Sequence, residues 1–182
     1  MRAAGHATRE RILAAAKVEF ARYGIAGARI NRIAAAAHAS KDRLYAYFAG
    51  KDDLYTAVTE QWASETTLET ALNAEDLPSY VGRLFDHYLE HPDNARLQAW
   101  AEIESPRIPG ADETIRRVVG PKIAEIRRGQ RCGLVTDTFA PSTLLTLLTD
   151  LARTSAVHAL HGGEAADRRA AAVRAAARLI AP

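Results

Sequence analysis

The sequence predicts an all-α chain. Alanine is abundant and β-branched residues are sparse, which favours helix throughout. Apolar residues recur at three- and four-residue spacing in segment after segment, and no alternating strand pattern competes. Proline, glycine and N-capping residues fall between those segments, where helices should start and stop.

The first helix is expected from Thr8, with Ile12, Leu13, Ala16, Phe20 and Tyr23 on its apolar face and Gly24 as its stop. A short second helix fits Asn31–Ala37, with Ile30, Ile33 and Ala34 facing inward. The break "AHAS" follows, and Ser40 is the N-cap of a third helix running to about Tyr47. Beyond "AGKDD", Asp52 and Asp53 suit the positive end of a long fourth helix to about Leu72, carrying Leu54, Val58, Trp62 and Leu68. Further helices fit Pro78–Glu90 and Asp93–Glu104. The connector "SPRIPG" then leads to a helix at Asp112–Arg131, which Gly120-Pro121 should kink or split. Ser142–Leu160 and Glu164–Ile180, separated by "HGGE", complete a set of about nine.

Charge divides the chain. Residues 1–51 hold ten Lys/Arg against three acids, a net +7, and the remainder is net −5. This asymmetry predicts a basic module for an anionic polymer, joined to a module with another task. The boundary is expected at 51/52, giving domains 1–51 and 52–182. Cys132 is the one cysteine, which excludes an intramolecular disulfide framework and fits a reducing cytoplasm. The stretch "MRAAGHATRER" has no apolar core for export, and no uncharged apolar run approaches the ~18 residues of a membrane span, so no export or membrane span is expected.

The stretch "SKDRLYAYFAGKDDL" (40–54) mixes aromatics with cations in a way that suits neither a core helix nor a merely solvated one. Two short helices joined by a tight turn make a helix-turn-helix, whose second helix can enter a major groove. Leu44 and Phe48, four apart, then face the small core. Lys41, Asp42, Arg43 and Tyr45 remain on the outer face to meet bases, and Tyr47 and Lys51 lie near the helix end, within reach of phosphates.

Together, "RILAAAKVEFARYG", "INRIAAAAHASKDRLYAYFAGKDDL" and the long helix that follows resemble the N-terminal domain of the TetR family of bacterial transcriptional regulators. The family pattern reads approximately I-L-x-A-A-x-x-x-F-x-x-x-G, then I-A-x-x-A-G-V-S-x-x-x-L-Y-x-Y-F-x-x-K-x-x-L. The resemblance implies that Lys41, Asp42, Arg43 and Tyr45 contact bases and that Tyr47 and Lys51 touch phosphate. It places Asn31 at a base or backbone contact and Thr8 and Arg9 near phosphate. Two positions depart from the pattern. His38 replaces a turn glycine, and Arg29 stands where a Ser or Thr would cap the second helix, where it could add a phosphate contact instead.

The remainder carries no specific family motif. Trp62, Tyr88 and Trp100, with His87 and Glu104 as polar groups, are the expected lining of an effector pocket. Leu144, Leu148, Leu151, Val173 and Leu179 are the expected dimer contacts. His87 and His91 have a metal-compatible spacing, but no third ligand is identifiable, and His158/His161 fit a helix C-terminus. No metal or other cofactor is therefore expected. Phosphate-loop, G-x-S-x-G and catalytic-cysteine signatures are absent, so an enzyme is not expected.

The resulting expectation is a cytoplasmic homodimeric transcriptional repressor. It would bind double-stranded operator DNA and be released by a small-molecule effector. The alternative is a helical protein-interaction or ligand-binding scaffold with no DNA role.

Overall fold

A computed structural model describes residues 2–104, 111–162 and 164–182. Among the described residues there are nine helices and no strand: α1 (Arg2–Gly27), α2 (Ile30–Ala36), α3 (Lys41–Tyr45), α4 (Lys51–Glu69), α5 (Leu77–Glu90), α6 (Pro92–Glu104), α7 (Ala111–Arg131), α8 (Pro141–Leu160) and α9 (Ala165–Ile180). The all-α expectation holds. No described helix is long and apolar enough to cross a membrane.

Most ends follow the local signals. Gly24 breaks α1 with φ 66° and ψ 179°, a left-handed conformation that suits glycine. Asp76 caps α5 by accepting the Ser79 N–H at 3.3 Å. Two expectations differ. The first helix begins six residues before Thr8, and α7 is not split at Gly120 and Pro121. The connector 105–110 lies outside the described residues.

The chain divides into two compact units. Unit 1 holds the described residues of 1–63 and 96–114, and unit 2 those of 64–95 and 115–182. The expected domain boundary after Lys51 falls within unit 1. Leu54, Tyr55 and Val58 of α4 are buried in unit 1, and the Tyr55 ring meets Phe20 of α1 edge-on at 5.2 Å. The second half of α6 also belongs there, because Trp100 and Glu104 bind the end of α1.

In unit 2, α5 packs on α8 and α9, which also pack on each other. Leu77, Tyr80, Val81, Leu84, Phe85 and Tyr88 form the buried stripe of α5. Gly82 lets α9 come close: a Cβ there would lie 3.2 Å from Val173 Cγ2. Beside this crossing, Arg169 Nε donates to both oxygens of Asp86, at 2.8 and 2.9 Å.

This core takes up two of the expected dimer contacts, Leu144 and Leu148. Leu144 and Leu148 are both 0% exposed within a single chain, and Val173 is turned toward Gly82. Leu151 and Leu179 are half-buried at the margin of the same core. The turns of α8 instead leave Leu147 exposed, one turn from Leu151.

Candidate DNA-binding surface

The small core of unit 1 sets the angle of the helix-turn-helix. Ile12, Leu13, Ala16 and Phe20 of α1, Ile33 and Ala34 of α2, and Leu44 and Phe48 at α3 are all buried. Arg29 is the N-cap of α2 in an extended conformation, and its side chain makes no capping bond. Glu19 of α1 supplies the cap instead. Its Oε1 accepts the Arg29 N–H at 2.9 Å and Arg32 Nε at 2.7 Å. The Arg32 guanidinium also lies 4.4 Å from the Tyr23 ring centroid.

The turn between α2 and α3 shows the strain expected of its sequence. His38 has φ 51°, the one positive φ of a non-glycine among the described residues. The Ala39 N–H reaches back to the Ala34 carbonyl at 3.0 Å. Ser40 Oγ then accepts the Arg43 N–H at 3.1 Å and starts α3.

With Leu44 buried, Lys41, Asp42, Arg43 and Tyr45 are left exposed on α3, and Arg29 and Asn31 are exposed at the start of α2. Lys41 Nζ lies 5.8 Å from the Tyr45 ring, and the Arg43 guanidinium 5.3 Å from that of Tyr47, so each cation is paired with an aromatic. Arg9 lies 5.4 Å from the Phe48 ring, and Thr8 Oγ1 accepts from Arg11 at 3.3 Å.

Two of the expected phosphate contacts have internal partners. The Tyr47 hydroxyl donates to the Gly5 carbonyl at 3.0 Å, so its proton must leave that bond to meet a phosphate. Lys51 Nζ donates to the Ala26 and Ala28 carbonyls, both at 3.4 Å. An ammonium has three donors, and the third can still reach a phosphate.

The residues expected in an effector pocket come from both compact units. Trp62, Trp100 and Glu104 belong to unit 1, and His87 and Tyr88 to unit 2. Glu104, 6% exposed, accepts the N–H groups of Ile25 and Ala26 with its two oxygens. Trp100 Nε1 donates to the Ala21 carbonyl at 3.3 Å, and the indole lies against Gly24. Tyr88 is in the unit 2 core, and His87 Nδ1 lies 2.6 Å from Glu69 Oε2. Glu19, Glu69 and the capping role of Glu104 have no local signature, since each partner lies ten to seventy-nine positions away.

An all-helical chain presenting a short polar helix behind a capped tight turn is a helix-turn-helix DNA-binding protein in its class. Residues 12–58 match the family model described as bacterial regulatory proteins, tetR family. Residues 76–179 match the tetracyclin repressor-like C-terminal domain. The chain belongs to the TetR family of transcriptional regulators. It is 38% identical to the HTH-type transcriptional repressor SCO4008 of Streptomyces coelicolor, over 83% of this chain and 79% of that one. It is 27% identical to the HTH-type transcriptional repressor NicS of Pseudomonas putida, over 71% and 66%. The crystal structure of SCO4942 from S. coelicolor superposes with a TM-score of 0.79 at 38% identity, covering 95% of this chain and 98% of that one. A TetR-family regulator from Marinobacter aquaeolei shares the fold at 20% identity, with a TM-score of 0.83 and 100% and 99% coverage.

Proposed function

We propose that this regulator is a repressor that binds a two-fold operator as a homodimer and leaves it when a small molecule binds the C-terminal part. The observation that carries the DNA contact is the division of α3. Leu44 is buried, while Lys41, Asp42, Arg43 and Tyr45 are exposed together on a helix held by Ser40. In this reading Arg43 and Lys41 read guanine edges, and Asp42 accepts from a cytosine amino group. Arg9, Arg29, Asn31, Tyr47 and Lys51 hold the backbone. SCO4008 and NicS, both repressors by name, support the direction of regulation.

One short helix reads only a few base pairs, so a second copy is needed, with half-sites centred roughly 34–36 Å apart or a multiple of that. The outward face of α8, with Leu147 and Leu151, serves that contact in this proposal.

The test is a mobility-shift titration on DNA upstream of the chain's own gene, at several salt concentrations. Specific binding that weakens steeply with salt is expected. Arg43→Ala should relax one base position at a cost of about 1–3 kcal/mol. Binding that is absent, or indifferent to salt, would favour the scaffold alternative.

A further inference from the structure

The four-residue spacing of His87 and His91 offers two metal ligands, and the fold adds a third. Glu69 is the last residue of α4, and its Oε2 lies 2.6 Å from His87 Nδ1. The ligand atoms of Glu69, His87 and His91 all lie within 4.8 Å of one another. All three residues belong to unit 2. We propose that they form a site for one first-row transition-metal dication of the zinc type, with water completing its coordination.

The donor set selects the metal class. Two imidazoles and one carboxylate suit zinc, cobalt or nickel, whereas calcium and magnesium take oxygen ligands. The geometry is within reach. Bonds of about 2.0–2.2 Å around a tetrahedral ion put neighbouring ligand atoms about 3.4 Å apart. That value falls between the 2.6 Å contact and the 4.8 Å limit. Glu69 and His91 are exposed and can swing into place, while His87 is buried and fixed.

The surroundings of His87 provide an independent observation. Its Nε2 lies 3.2 Å from Thr66 Oγ1 and 2.9 Å from Asn94 Nδ2. Asn94 is 1% exposed, and its Oδ1 is buried with no hydrogen-bond partner. A metal on Nδ1 leaves the imidazole proton on Nε2. A half-turn of the Asn94 amide then points Oδ1 at that proton and fixes the ring, as partners of metal-bound histidines commonly do, with Nδ2 taking the place that Oδ1 leaves. A simple Glu69–His87 pair makes no use of the nearby His91. The ion would tie the end of α4, the helix that starts at Lys51 just after the helix-turn-helix, to the end of α5.

The test uses the untagged full-length chain, stripped with chelator and titrated with cobalt(II) chloride. One equivalent per chain is expected, with visible ligand-field bands that zinc displaces. Zinc should also raise the melting temperature, as any ligand selective for the folded state does. His91→Ala and Glu69→Gln should both stay folded when stripped, since a glutamine amide oxygen can still accept from His87. Each should weaken cobalt binding by about tenfold or more and lose the zinc-dependent rise. The site is refuted if the wild type develops no bands and no zinc-dependent shift. It is refuted equally if both variants bind as the wild type does.

Discussion

Glu104 Oε2 accepts the Ile25 N–H at 2.7 Å, joining residues seventy-nine positions apart. The bond is needed because Gly24 leaves helical geometry at φ 66°, which exposes the next N–H groups of the chain just where side chains close over them. Removing the carboxylate with Glu104→Ala should cost about 1.5–3 kcal/mol, the usual range for a hydrogen bond to a charged group. Glu104→Gln keeps an acceptor and should lose less. Urea unfolding of the three proteins checks the order. Equal midpoints would show that the cap contributes nothing.

Gly24 itself should resist substitution more strongly. An alanine there meets a positive φ and places Cβ 2.9 Å from Trp100 Cε3, closer than carbon atoms normally approach. Gly24→Ala should therefore destabilise the chain by about 1–3 kcal/mol or more. Combining it with Trp100→Ala should recover the part due to crowding and leave the part due to φ. A double-mutant cycle by chemical denaturation separates the two.

Lys51 has both a structural and a DNA-binding reading, and they predict different data. Its ammonium bonds the Ala26 and Ala28 carbonyls at the end of α1, and the proposed phosphate contact uses its remaining donor. Lys51→Ala should weaken all DNA sequences alike and reduce the slope of log affinity against log salt by about one. A purely structural lysine would lower stability and leave that slope unchanged. Titrations at four or five salt concentrations decide between them.

Much of the fold was legible because its signals are local. Gly24, Ser40 and the three- and four-residue apolar spacing mark their own helices, and the family pattern's glycine at the position of His38 anticipates the positive φ that His38 adopts. The exposed face of α3 follows from the burial of Leu44 alone. What stayed hidden depends on distant partners. Glu19 replaces the missing cap at Arg29 from ten positions away, and Glu69 completes the histidine pair from another helix. Likewise, apolar periodicity cannot tell a chain's own core from an interface. Leu144 and Leu148 looked available for a partner, yet α5 and α9 already cover α8 on that side.

That distinction makes neighbouring leucines behave differently. Leu147 is 38% exposed and Leu148 is fully buried. Leu147→Glu should leave the monomer folded while shifting the proposed dimer toward monomers and reducing operator affinity. Leu148→Glu places a carboxylate in the unit 2 core and should unfold the chain instead. Light scattering and far-ultraviolet circular dichroism on both variants test the pair. A Leu147→Glu dimer as tight as the wild type would exclude this face of α8.

Lys122 predicts a dependence on alkaline pH. Its ammonium lies 5.3 Å from the Tyr80 ring centroid, and burial pushes its pKa down from 10.5 to about 8. The unfolded chain therefore holds this proton more tightly than the folded one. The penalty for burying the charge is complete below about pH 8 and is relieved as pH rises toward 10.5, so this group adds stability on the alkaline side. Lys122→Met fills similar volume without a charge. It should be more stable than the wild type at pH 7, by on the order of 2–3 kcal/mol. The advantage should shrink between pH 8 and 10. Other groups that titrate in that range are common to both proteins and cancel in the difference. Denaturant unfolding of wild type and variant at pH 7, 8, 9 and 10 gives that difference directly. A gap that stays constant across the series would mean that Lys122 holds its charge in water rather than among the side chains of unit 2.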